Sequence, residues 1–295
     1  MSDTVPSPPL QALSAALSGI VAKAAASIVA VHSHRSRSSG FVWRSGLIVT
    51  ADEALADEGE IAVTLPGGKT AAATLAGRDP TTDIALLRVD TAELQAIAPE
   101  RHPPEPGAIV VTVGSHEGSP TAAVGIVSAA GPGWRSLRGG KIDARIELGL
   151  SLRRDAEGGL AVDATGKAFG MAVFGPRKRV LVIPAATIER VAAKLETHGR
   201  VARGYLGVRL QPVRLDAGEG VGVMVMSIDS GGPGAAAGIL QGDVIVAWDG
   251  QPIQSVRTLL RALGSDTVGS TVILSLRRAG EPVELTLTVG ERAKP

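Results

Sequence analysis

With 295 residues carrying 30 Lys and Arg against 29 Asp and Glu, the chain has a formal net charge of +1 at pH 7, so nothing in its electrostatics points to nucleic acid or an anionic membrane as partner. It contains no cysteine, which excludes disulfides, a thiol nucleophile and cysteine metal sites. Hydrophobic residues make up 44% but only three Trp, three Phe and one Tyr occur, so the cores must be built from Val, Leu, Ile and Ala; the length suffices for two of them.

The first element expected is a helix over residues 1–26. Leu10, Leu13, Leu17, Ile20, Val21 and Ala24 recur at helical spacing, with Ser7 as N-cap and Pro8 in the first turn. Two uses are open for it: packing on its own domain, or contact with another subunit. No basic residue precedes Lys23 and no apolar run reaches membrane-spanning length, so neither a signal peptide nor a transmembrane segment is expected, and the cytoplasm is the expected location. From 27 to 199 the text alternates short Val-, Ile- and Ala-rich strands with turns, among them SIVAVHS, SGFVWRSGLIVT, DIALLRVD, AIVVTVG and KAFGMAVFG. That is the pattern of an all-β barrel or sandwich. It closes on a helix over 184–198, with Ile188, Val191, Ala192 and Leu195 on one stripe and Gly199 at the C-terminal cap. A second block over 204–292 starts afresh: YLGVRLQPV, GVGVMVMSI, the small-residue helix GPGAAAGIL, GDVIVAWDGQPI, a helix over 255–263 and two closing strands, a small α+β domain.

In this order, SSGFVWRSGLIVTADEAL, DPTTDIALLRVD, GIVSAAG and AEGGLAVDATGKAFGMAV resemble the trypsin-like domain of the HtrA/Deg proteases, and the block from YLGV to GPGAAAGILQGDVIVAWDGQPI resembles the PDZ domain that follows in that family. The resemblance covers nearly everything after residue 27. It implies a mainly β fold: a trypsin-like double β-barrel, then a small α+β PDZ domain, with a helix at the N-terminus.

Members of that family cleave peptides with a Ser-His-Asp triad, in which the histidine removes the serine's proton and the acid orients the histidine. In this sequence Glu53 falls at the base position, Asp83 keeps the acid and Glu157 stands at the nucleophile position. Asp155 takes the place of a glycine two residues before the nucleophile, which casts doubt on the oxyanion hole. None of the five histidines (32, 34, 102, 116 and 198) lies in the base block. No residue is therefore expected to catalyse by the triad route, and the chain is expected not to be an enzyme. If the barrels fold as the resemblance implies, three like charges converge, and one carboxyl must stay protonated, or Arg153 or Arg154 must fold in, or a divalent cation must bind. No metal site and no cofactor are expected.

The PDZ block keeps its loop. Tyr205-Leu206-Gly207-Val208 matches the segment whose backbone N–H groups receive a peptide's terminal carboxylate, and Leu206, Val208 and Leu259 are expected to line its apolar pocket. The expected function is a proteolytically inactive, peptide-binding scaffold or regulatory subunit, with C-terminal or extended peptides of a protein partner as ligands and a homo-trimer or hetero-oligomer as the assembly. The alternative is an endopeptidase homologue with residual or unconventional, carboxylate- or metal-dependent hydrolysis. A third possibility is a purely structural subunit.

Overall fold

The computed structural model describes residues 8–34, 36–90, 94–100, 102–215 and 220–291. Its backbone divides into two compact units, one of residues 1–134 with 142–200, the other of residues 135–141 with 201–295. A helix, α1 (Pro9–Ala25), opens the first unit with Pro8 at its N-cap and no side-chain cap; the Ser7 expected there lies outside the described residues. Ala24 is buried and Leu17, Ile20 and Val21 are half-buried, whereas Leu10 and Leu13 stand exposed. Only the C-terminal half of the apolar stripe therefore packs on its own unit.

Six strands close the first barrel: β1 (Ile28–Ser33), β2 (Ser36–Arg44), β3 (Leu47–Thr50), β4 (Ile61–Thr64), β5 (Thr70–Asp79) and β6 (Ile84–Arg88), in the order β1-β2-β3-β6-β5-β4. Val29, Val31, Val42, Ile48, Val63 and Leu87 fill it, with Leu55 from the β3–β4 connection. β-branched side chains suit this role because their restricted rotamers cost little on a pleated surface. The second barrel follows with β7 (Ile109–His116) and β8 (Ser119–Gly131). Beyond a short ribbon, β9 (Trp134–Arg135) with β10 (Lys141–Ile142), come β11 (Arg145–Gly149), β12 (Leu160–Asp163), β13 (Ala168–Phe174) and β14 (Val180–Pro184). It closes in the order β11-β14-β13-β12-β7-β8 around Val110, Val127, Ile146, Leu148, Phe169 and Val182. Closure leaves neither barrel an unpaired edge. Helix α2 (Ala185–His198) buries Ile188, Val191, Ala192 and Leu195, the stripe expected, and stops at Gly199, whose φ of 69° is the left-handed cap.

The second unit carries β15 (Gly204–Tyr205), β16 (Val208–Arg214), β17 (Val221–Ile228), helix α3 (Pro233–Ala236), β18 (Val244–Trp248), β19 (Gln251–Pro252), helix α4 (Val256–Ala262), β20 (Thr271–Arg278), β21 (Glu281–Thr288) and β22 (Gly290–Glu291). Its main sheet runs β16-β17-β18-β20-β21, so β16 is an edge strand. Ser255 caps α4 by accepting the Thr258 N–H at 3.1 Å. Val223, Ile245, Trp248, Leu259 and Leu274 form the core.

Candidate active site

Within the first unit the seam between the barrels is organised by Ser39, which is fully buried on β2. Its N–H donates to the Glu157 carbonyl at 2.8 Å, its hydroxyl donates to the Asp155 carbonyl at 2.6 Å, and that hydroxyl accepts the Ser115 N–H at 2.8 Å. One side chain of the first barrel thus fixes the segment of the second that carries Glu157. The following glycine is required by space: Gly158 has φ +82°, and a Cβ there would lie 2.3 Å from the Ser39 carbonyl oxygen.

Glu53 projects, exposed, from the turn after β3, where Ala54 and Leu55 are buried and anchor the loop. Its backbone N–H donates at 2.7 Å to Oδ1 of Asp83. Asp83 occupies the β5–β6 turn at φ +59° and is half-buried. Burial pushes its carboxyl from an ordinary 3.8 up to about 7, against the pull of the Glu53 N–H, and the charges of Glu53, Glu157 and Asp52 push the same way. Glu157, also half-buried, accepts the Phe174 N–H on Oε1 at 3.2 Å. Burial holds its carboxyl above the usual range, Glu53's charge adds to that, and the Phe174 N–H and Arg154 oppose it. Glu53 and Glu157 thus lie near enough to Asp83 for their charges to raise its carboxyl, and Glu53 near enough to Glu157 to do the same there.

Of the three ways foreseen to relieve that crowding, a retained proton on Asp83 is the one this environment favours. Arg153 turns instead to Asp155, donating from both arms of its guanidinium at 3.0 and 2.8 Å. His116, at the end of β7, places Nδ1 2.8 Å from the same carboxylate. Asp155 is held below the usual carboxylate range chiefly by the Arg153 hydrogen bonds, with His116 assisting. This His116–Asp155 contact went unread in the sequence, because alternation along β7 says nothing about what lies across the seam. Among the described residues no group of three His, Cys, Asp or Glu side chains is arranged to hold a metal ion.

Residues 154–156 form a single 3-10 turn. Through it the Ala156 N–H donates to the Arg153 carbonyl at 3.0 Å and the Glu157 N–H to the Arg154 carbonyl at 3.3 Å. Both amides next to position 157 point into the turn, so neither is aimed at a developing oxyanion.

In the second unit, Gly207 takes φ +74° and its carbonyl accepts the Asp229 N–H at 2.8 Å, while the Leu206 carbonyl accepts the Gly234 N–H at 2.7 Å. These bonds pin the carbonyls inward. Among the described residues the N–H groups of Leu206 and Gly207 have no recorded acceptor, so they remain available. Tyr205 donates its hydroxyl to Asp229. Leu206 and Leu259 lie in the domain core, 2% and 0% exposed, and Val208 is half-buried and packs against that core. An apolar domain this small needs its largest aliphatic side chains for its own interior.

A trypsin-like peptidase domain model matches residues 38–171 and a PDZ domain model matches residues 204–289. The solved structure of the HtrA-type protease AlgW with a decapeptide superposes with a TM-score of 0.71 at 25% identity, covering 94% of this chain and 99% of that one. The serine endoprotease from Yersinia pestis gives 0.71 at 26% identity, covering 98% and 100%. The chain belongs to the HtrA family. Two curated members named probable periplasmic serine endoprotease DegP-like are similar to it. The one from Rhizobium meliloti (strain 1021) is 31% identical over 272 residues, 87% of this chain and 53% of its own length. The one from Bartonella henselae is 33% identical over 268 residues, 84% and 53%. The chain thus spans about half the length of these HtrA relatives. Two expectations are corrected by these findings. Assignment as a non-enzyme is overturned, because the matched HtrA proteins are named serine endoproteases. Placement in the cytoplasm is overturned by relatives named periplasmic; the reasoning leaned on the charge order before Lys23, which carries little information about destination. Among the described residues no helix is long and apolar enough to cross a membrane.

Proposed function

We propose that this chain is a peptide-directed hydrolase of the HtrA family, acting in the periplasm, in which Glu53, Asp83 and Glu157 replace the triad and a water molecule replaces the serine as nucleophile. The observation that carries this reading is the coupled carboxyl cluster, with Asp83 raised to about 7. Water-mediated amide hydrolysis needs one ionised carboxylate to take a proton from the attacking water, and one protonated carboxyl to deliver a proton to the departing amine. Crowded carboxyls of which one, Asp83, keeps its proton to about pH 7 supply the acid, and a neighbouring carboxylate the base. Asp83 is the assigned acid and Glu157 the assigned base; the C–N bond breaks as the water oxygen joins the carbonyl carbon, giving a carboxylic acid and an amine.

The PDZ unit supplies binding. The edge of β16 accepts an extended peptide as an added strand, and the unspent N–H groups of Leu206 and Gly207 receive its terminal carboxylate. The AlgW structures carry a decapeptide or a tripeptide, which supports a peptide as ligand class here. The test is cleavage of unfolded casein by the purified chain, with Glu157→Gln and Asp83→Asn beside it. Cleavage lost in both variants and insensitive to chelators is the expected result. Intact casein at every pH between 5 and 9 refutes the hydrolytic part and leaves peptide binding to be judged on its own measurement.

A further inference from the structure

Beside the carboxyl cluster, on the β1–β2 side of the seam, lies an open cleft of about 730 Å³. Its charged lining is made by Arg37, Arg153, Arg154 and Asp155, with His34 and Ser36 at the β1–β2 turn. Three guanidiniums thus face one carboxylate, and this side of the seam has the opposite sign from the side holding Glu53, Asp83 and Glu157. Two of the three cations are already engaged: Arg37 donates to Glu117 at 2.5 Å, and Arg153 chelates Asp155. Asp155 is itself shared between Arg153 and His116. Arg154 is different. It is exposed, and among the described residues its side chain has no hydrogen-bond or ion-pair partner. Its backbone is held by the 3-10 turn, and its charge reaches Glu157.

We propose that this cleft binds a carboxylate of the peptide lying across the site, received by Arg154, and so selects acidic residues next to the bond presented to Glu157. The proposal names a substrate class for the hydrolytic cleft and rests on that reading for its purpose, not for its binding measurement. A guanidinium held by a fixed backbone offers paired donors that match a carboxylate's two oxygens. The neighbouring arginines, each neutralised by its own carboxylate, do not compete for the ligand and leave Arg154 as the cation that receives it. The opposite polarity of the two sides fixes direction as well as affinity: an acidic side chain placed over Glu53 and Glu157 is repelled, and one placed over Arg154 is attracted.

The same chemistry is offered by an internal Asp or Glu side chain or by a free C-terminus, and the measurement separates them. Binding of fluorescent peptides to the full chain, in a Glu157→Gln background, is followed by anisotropy at 50 and 300 mM salt. Amide-capped peptides cannot use the carboxylate loop of the PDZ unit. A capped peptide with one central Glu is expected to bind about fivefold to tenfold more tightly than its Gln twin at low salt, with most of the gap closed at 300 mM. Arg154→Ala is expected to erase the gap, and Arg154→Glu to turn it into a preference for a central Lys. A free-carboxylate peptide with a central Gln whose advantage over its capped form vanishes in Arg154→Ala places the terminus in the cleft; an advantage lost only in Gly207→Asp places it in the PDZ loop. Equal affinity for the Glu and Gln peptides, or a gap that survives Arg154→Ala, overturns the proposal. Because no cleavage is read, that failure leaves the hydrolytic assignment untouched, and failure of hydrolysis leaves this one standing.

Discussion

Replacing Asp83 with asparagine removes a buried charge while keeping the shape of the site. The amide oxygen still accepts the Glu53 N–H, and asparagine tolerates the left-handed backbone found there, φ +59°. In the folded protein Asp83 holds its proton up to about pH 7, whereas unfolded it ionises near 3.8. Between those values the native state binds more protons than the unfolded one, so this group makes stability fall as pH rises, and the loss is complete above about 7. At about 1.4 kcal/mol per pH unit the ceiling at pH 8 is about 4 kcal/mol. Water reaching the half-buried carboxyl reduces the expected gain from Asp83→Asn to roughly 2 kcal/mol. By pH 4.5 the gain shrinks to about a quarter of that, since the pH has then passed only about 0.7 of the roughly 3.2 pH units separating the unfolded value of 3.8 from the folded value of about 7. The assay is urea unfolding at pH 4.5 and 8.0 followed by Trp43, buried in the first unit, with Trp134 and Trp248 changed to Phe. A variant that is less stable than the parent at pH 8, or a gain of equal size at both pH values, refutes the account of the cleft given above.

The same proton sets activity: hydrolysis measured as kcat/KM is expected to fall as pH rises through about 7, where the assigned acid is lost, and a profile still rising at pH 9 contradicts it. Gly158→Ala forces a Cβ against the Ser39 carbonyl at a positive φ and is expected to cost roughly 3 kcal/mol in unfolding experiments on the first unit. Gly207→Asp meets Gly232 Cα at 3.0 Å and carries φ +74°; about 1–2 kcal/mol of backbone strain and a carboxylate beside the loop should lower affinity for free C-terminal peptides more than tenfold by calorimetry. Leu206→Ala, which empties a core position, should cost about 2–5 kcal/mol and lower the melting point of the second unit whether or not peptide is present.

Much of the architecture was readable because the signals were local. The strands of both barrels announce themselves by β-branched runs and turn residues, and α2 by its single stripe ending at Gly199. Ser255 heads α4 in the position its hydroxyl suggests. What the text did not yield depends on juxtaposition across the chain. That Leu206 and Leu259 would be almost fully buried in the core of the second unit depends on how the sheet and α4 close over them, which no local pattern shows. His116 and Asp155 are 39 positions apart and meet only because β7 and the 154–156 turn face each other across the seam. The apolar face of α1 was visible, but not that Leu10 and Leu13 would be left outside while Ala24 is covered.

Restoring a hydroxyl at 157 and an imidazole at 53 would supply reactants without a receptor for the negative oxygen they create. The amide hydrogens that such an intermediate requires are spent within one tight loop, and that loop is clamped from three directions by Ser39, His116 and Arg153. A design that reinstates serine chemistry must therefore begin at position 155, freeing the peptide plane to rotate, before either catalytic side chain is exchanged.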